Sequence, residues 1–383
     1  MAEFLFWLAA ATIGYVYIGY PILLILLRSV RERPVRKQPI VPSVSLVVSA
    51  YNEAAVIERK IRNTLALDYP ADRLELIIAS DGSTDGTGEI AARLADGARV
   101  KVLVYPENRG KLAALNDAVP MAHGEVLAFS DASSMLAPDA LRHLTANFAD
   151  PEVGAVSSVY KVRDANHAQL GTQEDFYWKY ETFLKKQEAA LGSILGAHGS
   201  LYAIRKALYP YPPSGMINDD YIIPLRVLQK GYRVAYEPLA VAYEEAHRMG
   251  GFGRRIRIMT GNIEQLREIG ALLRPLQPLT LMFFLSHKVG RLVVPPAMLL
   301  LLASNLWLLH SPFYAVSGLL QLAFYSLVIA GATGPFVPRV LRLPYYFCMI
   351  NAAAFVGMYQ ILSGRRSLAW GRARSMAKAS ASR

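Results

Sequence analysis

The sequence predicts a mostly parallel α/β domain that is inserted between membrane-spanning helices. Hydrophobic residues make up 53% of the 383 residues, and many of them lie in long segments that are almost free of charge. After the first of these segments, short β-branched runs alternate with longer helix-like runs. This alternation is typical of a parallel sheet whose strands are joined by helices.

Four apolar segments are each long enough to cross a hydrocarbon core of about 30 Å as a helix. They are residues 4–27, 292–309, 313–334 and 345–363. The first lacks a basic start and is about twice as long as the ~7–15 apolar residues of a secretory signal, so we expect an uncleaved anchor. Basic residues cluster at 28–37. The positive-inside rule then predicts a bacterial-type inner membrane protein whose α/β domain lies in the cytoplasm.

The pattern of charge divides the chain into five parts. They are an anchor at 1–30, the α/β domain at 42–248, amphipathic interface helices at 249–291, transmembrane helices at 292–364 and a basic tail at 365–383. Much of the net charge of +11 lies beside apolar segments. It therefore indicates contact with anionic membrane lipids rather than with nucleic acid.

A short stretch before the second apolar segment is predicted to lie at the membrane interface. Residues 276–291 include His287, Lys288 and Arg291, which fit an interface better than a lipid core. If this stretch lies at the interface or re-enters the membrane, the basic tail can stay on the cytoplasmic side. Because Cys348 is the single cysteine, no intramolecular disulfide is expected.

Within the α/β domain, five β-branched runs predict strands and four longer runs predict helices. The strands are 44–49, 74–79, 100–105, 126–130 and 153–159, and the helices are 53–67, 87–95, 112–122 and 137–148. In such a sheet, ligands bind beyond the carboxyl ends of the strands.

Four polar clusters fall at those strand ends. They are Ser-Ala-Tyr-Asn-Glu (49–53), Ser-Asp-Gly-Ser-Thr-Asp-Gly-Thr (80–87), Asn-Arg-Gly-Lys (108–111) and Ser-Asp-Ala-Ser (130–133). One Asp-Gly pair alone would indicate only a turn. Four clusters at one edge of the sheet favour a nucleotide site.

These clusters resemble the donor-binding half of the family 2 glycosyltransferases. The segments 195–205, 217–220 and 254–258 then follow in the order of the membrane-bound synthases of cellulose, chitin and hyaluronan. The resemblance covers about residues 42 to 275. It implies a GT-A fold and a hexosyl-type glycosyltransferase of enzyme class 2.4 that uses a nucleotide-sugar donor, with a lean toward UDP.

The resemblance also implies which residues bind the donor. Asp81 resembles the aspartate that hydrogen-bonds the nucleotide base. The end of the first strand and the third cluster are expected to lie near the nucleotide. The implied neighbours of the nucleotide are Ala50, Asn52, Glu53 and Lys111.

Asp131 matches the first carboxylate of the family's Asp-x-Asp element. That carboxylate binds the donor ribose and, with its partner, a Mg²⁺ or Mn²⁺ ion that bridges the phosphates. The partner here is Ser133, whose neutral hydroxyl is a weaker ligand. Either Ser133 acts through water or another group completes the shell, and His247 is one candidate.

Asp219 and Asp220 precede a helix-like run, so one of them could be only an N-cap. Asp220 also takes the place of the last residue of the family's Thr-Glu-Asp element, which implies the general base of an inverting transfer. His198, Gly199 and Ser200 match the stretch that meets the acceptor sugar. A glycine-rich turn before a strand explains these three residues about equally well.

Three arginines fall on the family's Gln-x-x-Arg-Trp element. Arg257 takes the place of its arginine, Arg254 that of the glutamine and Ile258 that of the tryptophan, with Arg255 beside them. The resemblance implies that Arg257 and Arg255 act on the leaving diphosphate and that Arg254 contacts the donor. A charged helix face beside lipid headgroups is the alternative.

Three functions remain open from the sequence. The favoured one is addition of a single sugar to a lipid-linked or other membrane-proximal glycan in polysaccharide biosynthesis, because Ile258 replaces the tryptophan that holds a growing polymer. The second is a processive β-polysaccharide synthase that also exports its product. The third, a non-catalytic subunit that binds nucleotide-sugar, is disfavoured by the joint presence of Asp81, Asp131, Asp220 and Arg257.

Overall fold

The computed structural model describes residues 1–163, 171–216, 218–245, 252–264, 266, 277–333 and 338–363. An eight-stranded sheet is the centre of the molecule. Its strands are β1 (Val44–Ala50), β2 (Leu74–Asp81), β3 (Val100–Tyr105), β4 (Val126–Phe129), β5 (Met135–Leu136), β6 (Val153–Arg163), β7 (Tyr202–Arg205) and β8 (Arg233–Glu245). This sheet confirms the predicted α/β class.

The strand order is β3-β2-β1-β4-β7-β6-β8-β5. β1 pairs in parallel with β2 and β4, β2 with β3, and β6 with β8. β7 lies antiparallel between β4 and β6, and β5 pairs antiparallel with β8. All five strands expected from the sequence are present, and their parallel half brings the ends of β1, β2 and β4 to one edge.

The helices of the described chain flank this sheet or extend away from it. They are α1 (Ala2–Val30), α2 (Ile57–Leu65), α3 (Thr87–Arg93), α4 (Lys111–Ala118), α5 (Ala140–Ala146), α6 (Gly171–Leu191), α7 (Asp219–Gln229), α8 (Phe252–Glu264), α9 (Pro278–Trp307), α10 (Pro312–Thr333) and α11 (Leu343–Leu362). All seven residues of β1 are buried because helices cover both faces of the sheet.

Among the described residues, four helices are long and apolar enough to cross a membrane: α1, α9, α10 and α11. They correspond to the four apolar segments expected from the sequence, although α9 begins at Pro278 rather than near residue 292. α1 and α9 each contain a π-helical turn, at Tyr15–Gly19 and Phe284–Val289. The two turns touch, because the Tyr15 hydroxyl and Ser286 Oγ lie 2.7 Å apart.

Two of the basic groups expected at the interface at 276–291 have protein partners. Both lie on α9: Arg291 forms an ion pair with Glu181 of α6, and His287 Nε2 lies 3.2 Å from the same carboxylate. α6 therefore joins the α/β domain to the long apolar helices. α8 lies within the predicted interface region and packs on α11, where a Cβ added to Gly357 would be 3.2 Å from the Thr260 nitrogen. Residues 265, 267–276 and the tail from 364 lie outside the described residues.

Candidate active site

The loops that follow β1 and β2 are tied to each other by side chain to backbone hydrogen bonds. Asn52 adopts a left-handed backbone conformation with φ of 53°, which asparagine tolerates better than most residues. Its Oδ1 accepts the Thr84 N–H at 2.9 Å, and its own N–H donates to Ser83 Oγ at 3.1 Å. The first two polar clusters thus form one surface.

Asp81 ties the third cluster to this surface. Its carboxylate is fully buried and accepts the N–H groups of Arg109 and Gly110, at 3.0 and 2.8 Å. The next residue must be glycine, because a Cβ on Gly82 would lie 2.2 Å from the Asn108 nitrogen. Asp81 therefore shapes the 108–111 loop at the position where the resemblance places the nucleotide base.

Lys111 connects the third cluster to the fourth cluster and to the start of α7. Its ammonium lies 2.7 Å from Asp131 Oδ1 and 2.8 Å from Asp219 Oδ1. Although burial alone would lower the pKa of Lys111, the two carboxylates raise it well above the usual value for a lysine. The lysine is therefore a permanent positive charge between the donor edge and the start of α7.

Asp131 lies in a loop that another lysine, fully buried, holds in place. Lys60 of α2 donates to Ser130 Oγ at 2.6 Å and to the Ser134 carbonyl. Burial lowers the pKa of Lys60 to about 7, against the opposing effect of Asp131. The sequence reasoning missed Lys60, because an isolated lysine in a helix carries no motif.

Ser133 meets a carboxylate that the sequence reasoning also missed. Its Oγ donates to Glu244 Oε1 at 2.8 Å, and the Tyr160 hydroxyl donates to Glu244 Oε2 at 3.1 Å. Glu244 is buried near the end of β8. It therefore places a second carboxylate beside the position where the Asp-x-Asp element has serine. The other candidate partner, His247, lies outside the described residues.

Asp131, Ser133 and Glu244 are the candidate cation ligands of this region. They offer two carboxylates and one hydroxyl, the ligand types that Mg²⁺ and Mn²⁺ prefer. No group of three His, Cys, Asp or Glu side chains suited to a metal occurs in the described part of the chain. A cation held here would therefore need further ligands from a bound donor.

Asp220 lies in the first turn of α7, and Asn218 is the N-cap, so neither aspartate occupies that position. One carboxylate oxygen of Asp220 accepts the Gly199 N–H at 2.9 Å. Burial, followed by the nearby Asp219 carboxylate, raises the pKa of Asp220 to about 6. A carboxylate with a pKa near neutrality is suited to take and release a proton.

Gly199 lies between Asp220 and Asp131. A Cβ at this position would be 3.2 Å from Asp131 Oδ2 and 3.4 Å from Asp220 Oδ2. Its carbonyl also accepts the Asp131 N–H at 3.1 Å. Any larger residue would crowd both carboxylates, and this close approach is a better explanation of the glycine than an ordinary turn.

His198 is buried beside an aromatic wall. Its ring meets Trp178 of α6 edge to face, with centroids 5.4 Å apart. The backbone N–H of His198 donates to Ser157 Oγ at 3.1 Å, while the ring Nε2 has no partner among the described residues. Burial holds the pKa of His198 well below its usual range, so the ring is neutral. Ser200, also buried, accepts a hydrogen bond from Ser130 at its carbonyl oxygen.

The arginine segment lies on α8, beside the loop that leads to Asp220. The Ile258 carbonyl accepts from Asn218 Nδ2 at 3.3 Å, and the Ile258 side chain is 36% exposed. The Arg255 guanidinium lies 4.7 Å from the centre of the Tyr346 ring on α11. Arg257 is half-buried, and the side chain of Arg254 lies outside the described residues.

The structure therefore brings most of the predicted residues to one edge of the sheet. Lys111, Asp131, Gly199 and Asp220 are linked by direct contacts or through Asp219. Asn52 and Asp81 shape the adjoining loops, and Ala50 and Glu53 are buried at the end of β1. Arg255 points to a membrane helix instead.

Comparisons with known proteins agree with this arrangement. Residues 45–209 match the family model "Glycosyl transferase family 2". The chain is 28% identical over 229 residues to a poly-β-1,6-N-acetyl-D-glucosamine synthase of Staphylococcus aureus strain COL, covering 58% of this chain and 55% of the relative. For a Staphylococcus epidermidis protein of the same description, identity is 26% over 225 residues. The chain spans about half the length of these curated relatives.

A solved structure matches nearly the whole molecule. A mannosyltransferase from Pyrobaculum calidifontis, in complex with GDP-mannose and Mn²⁺, superposes with a TM-score of 0.70 at 25% identity. The match covers 93% of this chain and 99% of the other. Together with the α/β sheet and the four apolar helices, these similarities identify the chain as a membrane glycosyltransferase with a GT-A fold, whose α/β domain is similar to glycosyltransferase family 2 over residues 45–209.

Proposed function

We propose that this enzyme transfers a sugar from a nucleoside diphosphate donor to a glycan acceptor at the membrane, with inversion at the anomeric carbon. The observation that supports this most strongly is the position of Asp220. This carboxylate has a raised pKa and faces the Lys111–Asp131 pair across Gly199. An acceptor hydroxyl bound between Asp220 and the donor would lose its proton to a group of suitable basicity.

The reaction needs no covalent enzyme intermediate. Asp220 accepts the hydroxyl proton while the acceptor oxygen bonds to the anomeric carbon. The bond from that carbon to the diphosphate breaks on the opposite face, and the diphosphate leaves with the electron pair. An α-linked donor therefore gives a β-linkage. Lys111 and Arg257 supply positive charge for the leaving group, and Arg257 can bind phosphate oxygens bidentately.

The donor residues divide into loop-shaping and ligand-binding groups. Asp81 and Asn52 shape the nucleotide surface beside Ala50 and Glu53. Asp131, Ser133 and Glu244 would hold a Mg²⁺ or Mn²⁺ ion, which would neutralise charge on the diphosphate. The Mn²⁺ in the complex of the mannosyltransferase relative supports a divalent ion. Since Arg255 packs on Tyr346, we assign it to anchoring α8 on α11.

The proposed location is the cytoplasmic face of a bacterial-type inner membrane. Basic residues follow α1 directly, which places the catalytic domain inside under the positive-inside rule. α8 packs against α11, so the arginine segment lies where a lipid-linked or other membrane-proximal acceptor would approach. His198, Gly199 and Ser200 would meet its terminal sugar.

We propose that the enzyme adds one sugar, or very few, in each encounter with an acceptor. Ile258 offers neither an aromatic face nor an indole donor at its place beside Asn218. A processive synthase is the second candidate, because the catalytic domain is similar to the poly-β-1,6-N-acetyl-D-glucosamine synthases.

Two linked experiments test the function. A panel of UDP- and GDP-sugars with the purified enzyme, read by product mass, identifies the donor. A time course with acceptor in large excess then resolves product lengths at low conversion. We expect uniform short products, and longer ones from an Ile258→Trp variant. Long polymer beside untouched acceptor would overturn single addition, and no transfer with any donor would overturn the proposed function itself.

A further inference from the structure

The loop at residues 196–200, called here the acceptor loop, sets the distance between Asp220 and Asp131. The Ala197 N–H donates to the Asp220 carbonyl at 2.7 Å, and the Gly199 N–H donates to the Asp220 carboxylate at 2.9 Å. The Gly199 carbonyl accepts from the Asp131 N–H. Any shift of this loop would therefore move the proposed base relative to the donor residues.

A buried lysine holds the other side of the acceptor loop. Lys185 of α6 donates from its ammonium to the carbonyls of Gly196 and Ala197, at 3.0 and 3.3 Å. The residue is 6% exposed, and burial lowers the pKa of Lys185 to about 8. Burying an ammonium without a carboxylate in direct contact is costly, and an apolar side chain would fill the same space without that cost.

The two acidic residues nearest to Lys185 along α6 are paired with other residues. Glu181 lies 2.7 Å from Arg291 and 3.2 Å from His287, both on α9. Glu188 accepts from the Tyr20 hydroxyl of α1 at 2.6 Å and lies 2.7 Å from His287. One side of α6 is thus fixed to the membrane helices, while Lys185 projects from α6 to the acceptor loop.

We propose that Lys185 is a positioning residue for the transfer reaction, which holds the acceptor loop and supplies positive charge behind Asp220. This proposal rests on Asp220 acting as the base. Asp220 is also under the influence of Lys111, which opposes protonation, and of Asp219 and Asp131, which favour it. Lys288 of α9 lies over the neighbouring Tyr221 ring at 5.2 Å. Lys185 adds a further positive charge near Asp220, from the side of the Gly196 and Ala197 carbonyls.

The test is a comparison of Lys185→Met, Lys185→Arg and Lys186→Met, with Lys186 as an exposed neighbour on the same helix. In Lys185→Met we expect kcat to fall about 10- to 100-fold, since small displacements of a catalytic group cost that much. The KM for the donor should stay within about twofold, because the donor residues are untouched. In the profile of kcat against pH, the acid limb should move to higher pH, because removing a nearby cation raises the pKa of Asp220.

Lys185→Arg, which keeps the charge, should retain the acid limb of the unmodified enzyme, and Lys186→Met should match that enzyme throughout. Unchanged kcat and acid limb in folded Lys185→Met would overturn the proposal. So would a lower kcat with an unmoved acid limb, which would mark a purely structural residue. If Lys185→Met does not fold, Lys185→Gln keeps a hydrogen-bond donor without charge, and the same shift of the limb is decisive. Full activity of Asp220→Asn would instead refute the assignment of the base.

Discussion

The donor edge and the region around Asp220 are built in different ways. At the donor edge, each loop is shaped by contacts between neighbouring strand–loop units, such as Asn52 with Thr84 and Asp81 with Gly110. Around Asp220, the contacts come from distant parts of the chain. The acceptor loop, Lys185 and α8 all meet near the start of α7.

Under the proposed function, this difference separates donor binding from the transfer chemistry. The donor edge depends on the sheet and on helices that lie directly against it, such as α2 with Lys60, whereas the proposed base depends on α6 and α8, which pack against membrane helices. Lys111 joins the two regions through Asp131 and Asp219. Variants on the two sides should therefore affect different steps, and the following experiments test that separation.

The largest effect is expected from Asp220→Asn. This variant should retain donor affinity but lose at least ~100-fold in turnover, because general-base catalysis contributes about that much. Asp219→Asn is the matched control and should cost less, since Asp219 pairs with Lys111 and Tyr202 rather than contacting the acceptor loop. Turnover and donor affinity are measured on the purified proteins. Near-normal turnover in Asp220→Asn with collapse in Asp219→Asn would show that the other carboxylate is the base.

A smaller effect, on the donor side, is expected from Glu244→Gln. If Glu244 completes the cation site beside Ser133, this variant should weaken Mn²⁺ binding about 10- to 100-fold in the presence of nucleotide, as for other groups that support metal ligands. Titration of Mn²⁺ followed by electron paramagnetic resonance measures this without relying on activity. The double variant Ser133→Asp/Glu244→Gln restores a carboxylate and should recover much of the affinity. Unaltered Mn²⁺ binding in Glu244→Gln would remove Glu244 from the site.

The smallest effect is expected at the junction with the membrane helices. Tyr20→Phe removes a buried hydroxyl that donates to Glu188, and should lower the free energy of unfolding by about 1–2 kcal/mol. Donor affinity should not change, because the Tyr20 hydroxyl binds Glu188 of α6 and not a donor residue. Thermal unfolding in detergent measures the change in stability, and calorimetric titration measures the donor affinity. Tyr15→Phe, at a more exposed hydroxyl, should cost less; a loss of donor affinity in Tyr20→Phe would contradict the separation of the two regions.

The sequence was sufficient for the donor edge because its information is local. Each motif follows a β-branched run directly, so the position of Asp81 or Asp131 at a strand end is set by a few neighbouring residues. The parallel alternation then requires those ends to meet at one edge of the sheet. The same reasoning correctly predicted four apolar membrane segments, since length and hydropathy alone decide them.

Other residues of the site carried no such signal. Lys60, Lys185 and Glu244 are single charged residues in a helix or strand, and nothing around them in the sequence distinguishes them from surface charges. Their roles arise from burial. The charged group of each lies beside a loop of the site and forms hydrogen bonds with carbonyl or hydroxyl groups there. Such partners lie far away along the chain and become visible only after folding.

The sequence by itself thus determined the α/β class and the apolar helices, and it predicted the polar clusters at the strand ends and Asp220 as the candidate base. Hydrophobic periodicity and turn chemistry are local properties, so they can be deduced without coordinates. Tertiary structure alone decided that Glu244 stands beside Ser133, that Arg255 turns to α11 and that Lys185 supports the loop behind Asp220. These contacts depend on how β8, α6 and α8 pack, and packing places side chains from distant segments within a few ångströms of each other.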